Sequence, residues 1–150
     1  MVAAAIFAVG VATTPQAQAA NLYWDAANGS TAGTGGTGSW DTTSPFWSPT
    51  SEGTAAGAIA SFSSADTAFF TGTAGTATLA GPITIGGLVF SGADFTIAGD
   101  ILTLDAPAGS PSISVSTANI ATISSRLAGV DGLVKTGGGS LRLVNAAHSH

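Results

Sequence analysis

The sequence predicts an all-β chain, read first as a right-handed parallel β-helix with a tryptophan-rich N-terminal cap; three observations give its short strands and turns. Apolar residues recur in alternate-position pairs at Ala77/Leu79, Ile83/Ile85, Leu88/Phe90, Phe95/Ile97, Leu102/Leu104, Ile113/Val115, Ala121/Ile123 and Leu141/Leu143. That is the period of short strands with one buried face. Turn-formers separate the pairs: Gly81-Pro82, Gly86-Gly87, Gly92, Gly99, the Ala106-Pro107-Ala108-Gly109-Ser110-Pro111 run and Gly129. Finally, hydrophobic residues make up 45% of the 150 and charged residues only 7%, so charged helix formers are nearly missing. An antiparallel β-sandwich shares this strand spacing and is the alternative. It asks for Asn-Gly or Asp-Gly hairpins, but Asn28-Gly29 lies ahead of the strand-rich part and Asp131-Gly132 opens its last pair.

Residues 1–19 read as an export signal. The apolar run 2–12 is too short to span a membrane, and Ala17 and Ala19 are the small residues a signal peptidase accepts, which predicts cleavage after Ala19. The run lacks the usual preceding Lys or Arg; a buried N-terminal strand or helix is the competing reading. Residues 20–53 form a second segment. It holds all three tryptophans, in Tyr23-Trp24-Asp25, Ser39-Trp40-Asp41 and Phe46-Trp47-Ser48, with a glycine-threonine tract at 31–38. A stack of coils exposes an apolar end and unpaired strand edges, and three indoles would cover such an end. Residues 54–150 hold the repeats. At roughly 20 to 30 residues per coil the mature chain would hold about four to six coils, a rod on the order of 20 to 30 Å long.

The last pair belongs to the run Gly132-Leu133-Val134-Lys135-Thr136-Gly137-Gly138-Gly139-Ser140-Leu141-Arg142-Leu143. It resembles the autotransporter-associated β-strand repeat, roughly G-G-L-x-K-x-G-x-G-T-L-x-L-x-G-x-N. Gly132, Leu133, Lys135, Gly137, Gly139, Leu141 and Leu143 match, and Ser140 stands for the usual Thr. The resemblance covers about residues 129–150 and ends in an incomplete repeat. The tryptophan segment is similar to the leader that often precedes such repeats. The resemblance favours the β-helix over the sandwich. It implies an exported, cell-surface structural or adhesive passenger carried through the periplasm and outer membrane by a C-terminal β-barrel translocator outside this chain. Similar repeats occur in large secreted proteins that end in a short sorting helix.

The remaining chemistry is sparse. A net charge of −5, with Arg126, Lys135 and Arg142 the only Lys/Arg cations, argues against nucleic acid. No cysteine is present, which removes disulfides and thiolate metal sites. Gly33-Thr34-Gly35-Gly36-Thr37-Gly38 satisfies a dinucleotide-binding spacing, but no apolar strand leads into it and no amphipathic helix follows. A flexible surface loop is the expected reading. Asp94, Asp100 and Asp105 are the carboxylates from which a β-helical polysaccharide lyase or hydrolase could be built, yet isolated turn aspartates ordinarily bond nearby backbone. His148 and His150 form an isolated H-x-H, read as accidental. No cofactor, metal or catalytic residue is assigned. Trp24, Trp40 and Trp47 remain candidate glycan contacts, the basis of a carbohydrate-binding alternative; burial in the cap is the expectation.

Overall fold

The computed structural model describes residues 19–27, 33–49 and 62–145; most of the predicted signal, including Ala17, and both histidines lie outside them. The first turn is built from β1 (Asn21–Trp24), β2 (Gly38–Trp40) and β3 (Trp47–Ser48). Three full turns follow: β4 (Thr67–Phe70), β5 (Gly75–Leu79) and β6 (Ile83–Ile85); β7 (Gly87–Phe90), β8 (Phe95–Gly99) and β9 (Leu102–Leu104); β10 (Ser112–Val115), β11 (Ile120–Ile123) and β12 (Leu127–Ala128). Strands β13 (Val134–Thr136) and β14 (Ser140–Leu143) begin a further turn.

Apart from β3, every third strand returns to the same sheet. The orders are β13-β10-β7-β4-β1-β3, β14-β11-β8-β5-β2 and β12-β9-β6. All named pairs are parallel except β1 with β3, which places an antiparallel strand across the first edge. The molecule is therefore the predicted β-solenoid and not a sandwich, with three full turns and a partial turn at each end. Five stacked strands at about 4.8 Å make a rod roughly 20 Å long.

Parallel register turns the alternation of the sequence into columns of like side chains along the axis. Ala68, Leu88 and Ile113 form one column, continued by Lys135. Phe70, Phe90 and Val115 form its neighbour. Across the interior, Ala77, Ile97, Ile123 and Leu143 stack in register, as do Gly75, Phe95, Ala121 and Leu141. The third sheet supplies Ile83, Leu102 and Leu127. All of these from the three full turns are buried apart from Gly75. Phe95 fits because Gly75 lies before it and Ala121 after it, so one ring shares its column with two small residues.

The glycine tract corrects the sequence reading. Gly35 and Gly36 are buried and form a packed corner, not a surface loop. Gly35 bridges Asp25 on one side and Thr73 on the other. Its φ is 77°, and a Cβ there would lie 2.2 Å from the Thr73 carbonyl oxygen, so only glycine fits. The next turn repeats the device: a Cβ on Gly72 would lie 2.5 Å from the Thr34 oxygen, and one on Gly75 2.2 Å from that of Gly36. The two glycine-rich corners therefore nest backbone to backbone.

Candidate functional site

Two features of the sequence could carry function, the tryptophan segment and the final repeat. The fold places them at opposite ends of the rod. The tryptophans sit where the first turn covers the core. Alternation along β1 and β2 turns Leu22, Trp24 and Trp40 inward, and β3 brings Trp47 against them. Ring centroids lie 5.0 Å apart for both Trp24–Trp47 and Trp40–Trp47, in inclined geometries. Phe70 continues the cluster at 5.6 Å from Trp40 and stacks on Phe90 at 5.0 Å. The Trp24 indole N–H donates to the Gly36 carbonyl at 2.9 Å, tying the aromatic cluster to the glycine corner.

All three indoles are 0% exposed. None offers a ring face to solvent, and a sugar ring needs one to stack upon. In this fold the tryptophans are core. An outward-facing aromatic pair lies elsewhere: Tyr23 and Phe69, half-buried on neighbouring strands, stack at 4.8 Å.

At the other end, each matched residue of the final repeat has a physical reason. Gly137 takes φ 73°, and a Cβ on it would meet the Val115 carbonyl oxygen at 2.2 Å. A Cβ on Gly139 would meet the Ser116 oxygen at 2.3 Å. These glycines let one turn close on the turn below. Leu133 and Leu141 pack against the core, while Leu143 is 42% exposed. Lys135 occupies an inward register position, over Ile113. Its ammonium curls back to donate to the carbonyls of Thr136 at 3.0 Å and Gly137 at 2.7 Å, so the cation is satisfied by the corner it adjoins. Gly132, with φ 73°, turns the chain into the repeat.

Two of the three carboxylates singled out in the sequence accept backbone amides, and Asp105 donates its own N–H to the Ile85 carbonyl at 3.1 Å. Asp94 accepts the Ile120 N–H of the next turn at 2.6 Å, and Asp100 accepts that of Ile101 at 2.7 Å. These two flank opposite ends of β8 and do not face each other across a groove. Asp66 and Asp25, buried and not singled out in the sequence, do the same work on the first turn. Asp66 takes the N–H groups of Ala20 and Ser63, and Asp25 takes the amide and hydroxyl of Thr34. Asp41 gathers Ser39, Thr43 and Ser44. Among the described residues no group of three or more His, Cys, Asp or Glu side chains is placed to hold a metal ion.

The comparisons with known proteins agree with the repeat resemblance. Over 132 residues, 87% of this chain, the sequence is 43% identical to part of the adhesin BmaC autotransporter of Brucella suis biovar 1 (strain 1330). The chain spans 4% of that protein's length. No family model matches the chain, and no solved structure matches it significantly.

Proposed function

From this homology to a stretch of an autotransporter adhesin, we propose that the chain is a segment of a cell-surface passenger, a structural and adhesive module without catalysis of its own. The 43% identity over 87% of the chain carries the reading. The fold supports it. A low-charge, cysteine-free chain whose turns contact only their neighbours suits passage as an extended polymer followed by stacking outside the cell. The far end supports it too: Lys135, Leu141 and Leu143 hold inward register positions, and another turn of the same repeat would cover them.

In this reading the passenger travels through the periplasm and across the outer membrane with a C-terminal β-barrel translocator supplied by a longer protein. Residues 1–19 are the export signal and residues 20–53 close the solenoid's first end. Adhesion would use the outer faces of the sheets, since the indoles are buried. The test is antibody labelling of intact cells that express the full-length gene. Antibodies against residues 64–145 should label intact cells, and deleting this segment should reduce attachment to a host-cell layer. Labelling confined to lysed cells would overturn the surface assignment. Normal attachment without the segment would leave it a spacer and refute the adhesive role.

A further inference from the structure

The N–H of Ala20 points into the protein. It donates to Asp66 Oδ1 at 3.1 Å, while the Ala20 carbonyl accepts the Thr67 N–H at 2.9 Å. Asp66 is 6% exposed, and its second oxygen takes the Ser63 N–H at 2.9 Å. Its backbone carbonyl accepts the N–H groups of Gly86 and Gly87, so the residue is pinned between the first turn and the third. The chain's Lys and Arg residues lie far along the rod: Arg126 just before β12, Lys135 on β13 and Arg142 on β14. Each is two or more turns away from Asp66. Among the described residues, the hydrogen bonds this nearly buried carboxylate accepts come from the amides of Ala20 and Ser63. Ala19, immediately upstream, is exposed and outside any strand.

We propose that cutting the Ala19–Ala20 bond builds a partly buried ion pair that fastens the first turn: the new α-ammonium of Ala20 stays on the Asp66 carboxylate. The proposal rests on the export signal read at residues 1–19. Hydrolysis adds one water across the amide. Its oxygen goes to the Ala19 carbonyl carbon, which leaves as a carboxylate, and the Ala20 nitrogen becomes an amine, protonated at neutral pH because an α-amine titrates near 8. The donor keeps its place but gains a full charge. A charge-assisted hydrogen bond is roughly twice as strong as a neutral one, and a buried carboxylate gains most from a cation. Processing then does more than free the chain from its signal. It supplies the one cation the first turn lacks, so the mature protein is more stable than any form that retains upstream residues.

Two preparations of the chain decide this. One begins at Ala20 with a free amine; the other keeps Ala17-Gln18-Ala19, which leaves a neutral amide at Ala20. At pH 7 the first should melt about 3–6 °C higher, and Asp66→Asn should erase the difference. Should the variant fail to fold, NMR titration of the Ala20 α-amine in the unmutated chain takes its place, and a pKa above the ordinary value near 8 is expected. Equal melting temperatures, or an amine that titrates at or below its ordinary value, would overturn the ion pair. The mass of the exported protein tests the signal separately. A mature chain that starts elsewhere than Ala20 refutes the cleavage, whereas a start at Ala20 with no gain in stability refutes only the ion pair.

Discussion

Asp41 closes the turn after β2 with one carboxylate. The Ser39 hydroxyl donates to it at 2.6 Å, the Thr43 amide at 2.8 Å and the hydroxyls of Thr43 and Ser44 at 2.9 Å each, with the Ser44 amide beside them. The Ser39 hydroxyl contributes most to holding this carboxyl well below the usual aspartate range; partial burial opposes it, and the Ser44 and Thr43 amides reinforce it. A folded pKa below the unfolded one stabilises the protein at pH values above the unfolded pKa, near 3.9, and that contribution fades as pH falls toward the depressed folded value. At this solvent-screened turn, Asp41→Asn should cost only about 0.5–1 kcal/mol at pH 7. The gap between variant and parent should narrow below pH 4. Urea unfolding at pH 7, 4 and 2.5 checks this, and a gap independent of pH would refute it.

Individual strands differ in how plainly the sequence shows them. From β5 to β11 each is a clean apolar alternation, and each such pair is buried. Strand β4 escapes that reading because Phe69 and Phe70 are adjacent. Only the fold separates them: Phe70 enters the core, while Phe69 stays outside against Tyr23. Strand β13 lacks such a pair, since its inward position is Lys135, and it is legible only through the glycine-flanked run it belongs to. The candidate sites divide the same way. The repeat's glycines are legible because a close backbone approach admits no other residue, whereas the Ala20–Asp66 contact joins residues 46 positions apart and leaves no local pattern. The unequal Phe69 and Phe70 faces give a sharp test. Phe70→Ala should cost about 3–5 kcal/mol, because its ring joins the tryptophan cluster to Phe90 and Phe95. Phe69→Ala, on the outer face, should cost about 1 kcal/mol or less. Thermal melts followed by tryptophan fluorescence separate the two, and equal losses would mean that the inward and outward assignment of β4 is wrong.

Because each turn touches only the turns before and after it, stability along the rod is a sum of turn and interface contributions, and the two ends are not equivalent. The first end is sealed: three buried indoles fill it and β3 pairs across its edge. At the other end β13 and β14 pair on one side only, and Val134, Leu143 and Val144 are 46%, 42% and 60% exposed. The same side chain should thus matter less the farther it stands toward that end. Ile113 has Leu88 below it and Lys135 above, at 0% exposure, so Ile113→Ala leaves a cavity and should cost about 2–4 kcal/mol. Leu143→Ala truncates a similar side chain that is 42% exposed and, among the described residues, the last of its column, and should cost under about 1 kcal/mol. Hydrogen exchange should follow the same gradient. Amides of β7 and β8 should exchange only with global unfolding, while those of β13 and β14 exchange through local opening. Fusing one further repeat after residue 150 should then raise the protection of β14 and bring the cost of Leu143→Ala toward that of Ile113→Ala. If β14 exchanges as slowly as β8 without the added repeat, the end is closed by other means, and the rod's stability does not grow by stacking from that face.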